Sequence, residues 1–394
     1  MNDQTDVEHG RVFPTYIGSN NISPFHSFYA NKKTVLRQAA GRFFVHYNGE
    51  NPIDGYWALR RKAALFDVPE RPIEISGPDS VPFLERIIAR KISDLKTGRG
   101  RYVIVCNHQG GLFMDGILFR IKKNCFWFVQ PDGDLETWLL AHSAKFDILI
   151  SDPKSRVLQL QGPKSFEIMH EVTNGAVDET LKYFHSNFFN IGGQPVYVSR
   201  TGWTGELGYE IYTLGSKTNA WKLWDQLTLI GHSKGMLFSA MQSMNMRRIE
   251  AGILDSGSDF DATMTPYEAG LDRFIDFANK NFIGRDILQM KSSNKSIFGV
   301  KSKFISPTSG DQIFDNTRQV GTVTTGAWSP FLQHGIGYVR FEKSSNWSGK
   351  TLRLKSKKSE VSACKIVDLP FYDHEKRLPR EVPNLSDKGT ELKH

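Results

Sequence analysis

The chain has 394 residues, which at roughly 100–200 residues per domain predicts two or three domains. Hydrophobic residues make up 39% and charged residues 23%, a balance that fits a soluble globular protein with a real core. The net charge of +8 admits a polyanionic partner, but no nucleic-acid motif accompanies the one basic run, Lys355-Ser356-Lys357-Lys358, and no apolar stretch reaches the roughly 18 residues of a membrane span.

The N-terminal segment Met1–Gly10 is polar and acidic, unlike a signal peptide. Residues 1–30 mix Gly, Asn, Pro and aromatics and read as an irregular arm. A helix is expected over Trp57–Leu65, then a strand over Arg71–Ser76, where Ile73 and Ile75 alternate with Glu74 and Ser76. Gly77-Pro78-Asp79 is a turn that leads into a helix over Val81–Ala89. Tyr102–Cys106 and Leu112–Ile121, joined through Gly110-Gly111, form a hairpin. Strands over Phe126–Val129, Asp147–Ile150 and Val157–Leu160 alternate with helices over Leu135–Ser143 and Phe166–Val172. Strands Pro195–Ser199 and Gly208–Thr213 precede helices around Ala220–Ile230 and Ala240–Ala251. After about residue 290, short alternating strands with Gly, Ser, Asn and Pro turns predict an all-β module up to about Tyr372. From Glu375 the chain is charged and Pro-bearing, the composition of a loose tail. The fold class is α+β, with an arm at 1–30, a two-lobed region at 31–288, a β module at 289–374 and a tail at 375–394.

Three cysteines, Cys106, Cys125 and Cys364, are too few and too widely spaced for a disulfide framework or a metal set; no metal is expected, and a reducing cytoplasm fits. There is no Gly-x-Gly-x-x-Gly after a strand and no phosphate loop, so no nucleotide site is signalled.

Three segments are dense in chemistry. In Ser199–Tyr212, three glycines within seven residues let the backbone turn sharply against a ligand, and Trp203 offers a flat face at the tip. Glu210 and Tyr212 share one strand face; Glu210 is either a surface residue of a hairpin or an inward carboxylate that needs a partner. In the hairpin, Asp115 stands alone among Leu, Phe, Met and Ile, either as a bulge residue before Gly116 or as a functional carboxylate beside Tyr102. In Arg247-Arg248-Ile249-Glu250, adjacent helical positions face different ways, so at most one arginine is expected to point inward.

Ten pieces in order, from Leu65-Phe66-Asp67-Val68 through Gly77-Pro78-Asp79, Gln161-Gly162-Pro163, Ser199–Tyr212 and Arg248–Gly252 to Leu369–Asp373, resemble the glycine-cleavage T-protein (aminomethyltransferase) family. The resemblance implies a three-lobed fold with a C-terminal β-barrel and tetrahydrofolate as co-substrate in a central channel. It implies that Asp115 is the reactive aspartate and that Tyr102, Trp203, Glu210, Gln130 and Arg248 are folate-contacting positions.

The chain also departs from the amine-transferring members. It reads Pro69-Glu70-Arg71-Pro72 after Asp67-Val68, Met114 before Asp115, Gln242-Ser243-Met244-Asn245 before the arginines, and Trp203 where Tyr is usual. In these respects it is similar to the folate-dependent demethylases, a group that includes dimethylsulfoniopropionate demethylase. The function implied is methyl transfer from a small methylated donor, a sulfonium or similar, to N5 of tetrahydrofolate. Trp203, Tyr183 and Trp138 would be the aromatic walls around the cation, and His185 the general acid were the donor an aryl ether. The alternatives are aminomethyl transfer with a lipoyl carrier protein as partner, and a non-enzymatic folate-binding protein. The positive charge then suits polyglutamylated folate.

Overall fold

A computed structural model describes residues 22–131, 133–291 and 294–382. Three β assemblies carry the fold: a six-stranded sheet, a five-stranded sheet and a closed six-stranded barrel. The two sheets interleave along the chain. Ala64–Val68 belongs to the first and Arg71–Ser76 to the second, with only Pro69-Glu70 between them. Leu149–Ser151 and Val157–Gln161 repeat that crossing in the opposite sense.

Because consecutive strands enter different sheets, the two lobes share a core. Phe66, Val68, Val157, Tyr197 and Tyr212 of the first sheet pack against Phe119, Ile121, Trp127 and Val129 of the second. Ile117 and Trp203 lie against the rim of this seam. The barrel runs from Ile297–Ser302 to Val361–Val367 and has its own interior, including Val300, Ile313, Val339, Leu354 and Ile366. Helices and sheets together make the expected α+β fold with three lobes.

Two expectations about helices are corrected. The helix expected over Trp57–Leu65 spans Pro52–Arg61, and Ala64–Val68 is a strand. All five residues of that strand are buried, so its apolar run carries no alternation to separate it from a helix. Both arginines of the helix Met241–Glu250 are buried, Arg247 at 1% exposure and Arg248 at 2%. That helix is enclosed: Tyr56 of the helix Pro52–Arg61 reaches it on one side and the barrel residues Thr325, Ser329 and Tyr338 on another, so it has no free face.

The arm and the tail are docked where they are described. Phe25 is fully buried in the core of the first sheet, and Tyr29 O–H donates to Asp67 Oδ2 at 2.7 Å. Arg200 donates to the carbonyls of Pro379 and Arg380, which straps residues 375–382 onto the six-stranded-sheet lobe. Residues 1–21 and 383–394 lie outside the described residues.

The buried arginines join the lobes through shared carboxylates. Glu206 accepts from both Arg60 and Arg247. Arg248 donates to Asp259 and to Thr325 of the barrel, while Thr324 donates to the other oxygen of Asp259. The Tyr338 hydroxyl lies 3.0–3.1 Å from the carbonyls of Arg248, Ile249 and Ile253 at the end of the helix. Removing one partner of such a group strands a charge in low dielectric. Glu206→Gln should therefore lower stability by about 3–5 kcal/mol in urea unfolding, with the slope unchanged. A loss below about 1 kcal/mol would show that the two guanidiniums find other partners.

Candidate functional site

The first half of the site is the hairpin of Arg99–Cys106 and Leu112–Lys122. Its register pairs Tyr102 with Ile117 and Ile104 with Asp115, so Tyr102 and Asp115 are diagonal neighbours on one face. Tyr102 O–H donates to Asp115 Oδ2 at 2.7 Å, and the Tyr102 ring leans on Phe274 with centroids 4.5 Å apart. A Cβ at Gly116 would collide with the Val129 carbonyl, so glycine lets the next strand close against the one bearing Asp115. Asp115 is 7% exposed, and its Oδ1 is buried without a hydrogen-bond partner. Burial pushes its pKa up to about 6, and the charge of Asp255 adds to the rise, while the Tyr102 hydrogen bond opposes it.

The second half is built on Gly208–Thr213 and its neighbours. Glu210 pairs with Ser199 on one side and Gln159 on the other. Its Oε2 accepts from Tyr212 at 2.6 Å, Thr201 at 2.7 Å and Ser199 at 3.3 Å, and its Oε1 accepts from Gln159 Nε2 at 3.1 Å. Burial raises the pKa of Glu210, and the hydroxyl donors counter that rise. The carboxylate points inward with partners, as one of the two sequence readings required. The glycine turn has a specific cause: the Gln161 carboxamide fills the space that a Cβ at Gly202 or Gly208 would need.

Two residues of the site escaped the sequence reading. Gln159 Nε2 also donates to Glu70 Oε1 at 2.8 Å, and Gln159 Oε1 accepts from the Trp203 N–H at 3.3 Å. One amide thus joins Glu70, Glu210 and Trp203. Glu70 Oε2 is buried with no hydrogen-bond partner, and burial, then the neighbouring Glu210 charge, push its pKa up to about 8. The available signal was Gln159 itself, a long polar side chain in a strand buried at every position.

The two halves meet at the seam. Asp115 shares its strand face with Ile117, and Glu210 shares its face with Tyr212; Ile117 and Tyr212 belong to the packing between the sheets, as does Trp203. A polar chain also links them: Asp255 N–H donates to Asp259, which binds Arg248, whose guanidinium lies 5.1 Å from the Trp203 ring centroid. Tyr183 lies near enough for Glu210 to influence it electrostatically, and it lines an opening beside Gly202 and Gly205.

The other expected site residues have different surroundings. Arg248 spends its donors on Asn245, Asp259, Ile253 and Thr325 and covers one face of Trp203, so it positions that ring. Gln130 is buried, and its Oε1 accepts from Leu135 N–H at the start of a helix. Trp138 stacks on Phe113 with centroids 4.4 Å apart and on His142, at the edge of the second lobe's core. His185 lines a separate opening with Lys96, Arg99 and Asp178, and its pKa is lowered by burial and then by Arg99. Gln130, Trp138 and His185 thus have no recorded contact with Asp115, Glu210 or Trp203 among the described residues.

Comparison with known proteins agrees with this architecture. Residues 36–279 match the GCVT N-terminal domain, and residues 296–373 match the glycine cleavage T-protein C-terminal barrel domain. An aminomethyltransferase of Bacillus pumilus is 31% identical over 338 residues, covering 81% of this chain and 90% of the relative. One from Caldanaerobacter subterraneus is 28% identical over 364 residues, covering 89% and 95%. The crystal structure of glycine cleavage system aminomethyltransferase T from Bartonella henselae superposes with a TM-score of 0.79 at 23% identity, over 90% of this chain and 98% of that one. The chain belongs to the glycine cleavage T-protein family and is a one-carbon-group transferase.

Proposed function

We propose that the seam binds tetrahydrofolate as co-substrate and that the protein moves a methyl group from a small methylated donor to its N5. The observation that carries this reading is the pair of carboxyl oxygens without partners among the described residues, Asp115 Oδ1 and Glu70 Oε2, buried on either side of the seam. A buried polar atom without a partner is costly, and a flat heterocycle with polar nitrogens on two opposite edges would satisfy both sides at once. Glu70 and Glu210 would take the donor-rich edge of the pterin, Tyr102 would flank it, and the Trp203 ring would stack on it or on the donor.

Asp115 does the chemistry in this reading. Its ionised carboxylate faces the acceptor nitrogen and stabilises the positive charge that grows there as the new bond forms. The protein otherwise holds acceptor, transferred carbon and leaving atom in line. A sulfonium-like donor leaves as a neutral group, so no general acid is needed for it, and the placement of His185 away from the seam is consistent with that. Cationic donors also suit an interior with unpaired carboxylates and the rings of Trp203 and Tyr183.

Aminomethyl transfer is the second reading, and the names of the curated relatives favour it. It would require a lipoyl carrier protein as partner. Met114, Asn245 and Glu70 stand where the sequence departs from the amine-transferring members, and they favour methyl transfer.

Three outcomes follow. Mass detection after incubation with tetrahydrofolate and a panel of sulfonium, betaine, methylated-glycine and methoxyaryl compounds should show 5-methyltetrahydrofolate; the 5,10-methylene form would establish the second reading instead. Asp115→Ala should lower turnover on the order of 10²–10³-fold with tetrahydrofolate affinity much less affected; unchanged turnover would remove Asp115 from the mechanism. The working form is the ionised carboxylate with a pKa raised to about 6, so turnover should be full well above pH 6 and fall as pH drops through it. Asp115→Asn should abolish that limb, and a limb that persists belongs to another group.

A further inference from the structure

The opening beside the glycine turn lies under the C-terminal strap. Its lining includes Tyr183, Gly205, Arg247, Tyr372 and Lys376. Gly202 and Gly205, which flank Trp203, form one wall, so the opening adjoins the glycine turn of the seam site. Lys376 lies three residues beyond the end of the family's barrel match at residue 373, on a strap that Arg200 fastens down.

Two cationic groups face this space with bonding capacity to spare. Arg247 is 1% exposed. Its Nε donates to Glu206 and its Nη2 to the Gly205 carbonyl, but its Nη1 is buried with no hydrogen-bond partner among the described residues. The nearest carboxylate oxygen, Glu250 Oε2, stands 3.9 Å from that nitrogen and accepts from Tyr372 O–H at 2.7 Å. Lys376 forms no ion pair among the described residues. The acid beside it, Asp373, has its two oxygens occupied by the backbone N–H groups of Arg377 and Leu378 at 2.8 and 3.1 Å. Arg273 and Arg380 add positive potential around Lys376.

We infer that this opening is a carboxylate subsite, in which Arg247 Nη1 and the Lys376 ammonium together receive a carboxylate of the substrate whose other end lies in the seam. A carboxylate has two oxygens for two separate donors, and charge-assisted bonds of this kind are the strong ones. The tyrosine walls fit the short apolar stem of such a group. The carboxylate has two sources, the glutamyl end of folate or an acidic methyl donor. The first source rests on the folate reading above; the second does not.

Isothermal titration of wild type, Lys376→Met and Arg377→Met decides the matter. Arg377, next along the strap, has a side chain that pairs with the exposed Glu375 among the described residues and serves as the control for bulk charge. The probes form two pairs: tetrahydrofolate against 6-methyltetrahydropterin, which lacks the glutamyl end, and dimethylsulfoniopropionate against trimethylsulfonium. Lys376→Met should weaken one carboxylate probe about tenfold, spare its carboxylate-free partner, and exceed any effect of Arg377→Met. Weakening confined to the first pair assigns the folate end; weakening confined to the second assigns the donor. If no carboxylate probe weakens, whether or not it binds, or if both members of a pair weaken alike, the subsite is overturned. Failure of the folate reading looks different: the tetrahydropterin then fails to bind even the wild type.

Discussion

The structure is organised around carboxylates held in the seam between two sheets without cationic partners of their own. Glu210 is surrounded by hydroxyls and one amide, Asp115 by one phenol, and Glu70 by the same amide that serves Glu210. Such an arrangement opposes folding, because each buried carboxyl group loses its water, and burial holds Glu70 in its neutral form up to about pH 8. It persists because the strands that carry it are fixed by pairing on both sides, and because the seam around it is packed with Phe66, Phe119, Trp127, Tyr197 and Tyr212. The raised pKa of Asp115 and the unpartnered oxygens are the residue of that conflict, and both are resolved when a ligand brings N–H donors or positive charge.

A second polar system has the opposite character. Arg60, Arg247 and Arg248 are buried, but each meets a carboxylate, and the carboxylates are shared among elements far apart in the chain. Arg248 ties the helix Met241–Glu250 to Asp259 and to the barrel, and its flat face rests beside Trp203. Glu250 accepts from Tyr56, Ser329 and Tyr372, which come from the first lobe, the barrel and the segment that follows it. The barrel therefore sets the position of one wall of the site although its own core is separate.

Much of this was legible before any coordinates. Asp115 stood out because one carboxylate in an apolar strand needs a reason, and Tyr102 because hairpin pairing brings it alongside. The glycine turn and Trp203 at its tip followed from spacing, while strand period put Glu210 on one face with Tyr212 and left open whether that face is buried. Glu70 and Gln159 were not legible, since their roles depend on the strand order that sets Val157–Gln161 between Ala64–Val68 and Gly208–Thr213. The two arginines misled because the rule that neighbours on a helix diverge assumes an exposed face, and Met241–Glu250 has none. The strap read as a tail because its composition is charged, whereas what holds it is its backbone carbonyls, which composition does not reveal. Trp138 and His185 were chosen by residue type, and type alone did not place them at the seam.

The central claim is that a single flat heterocycle bridges the two halves of the seam. A crystal structure of the protein soaked with tetrahydrofolate tests it most directly. The account predicts the pterin ring between the hairpin and the glycine turn, with its edge nitrogens on Glu70 and Glu210 and its N5 facing Asp115. A ring bound elsewhere, such as in the opening lined by His185, or a seam closed by side chains with the folate outside it, would contradict the account.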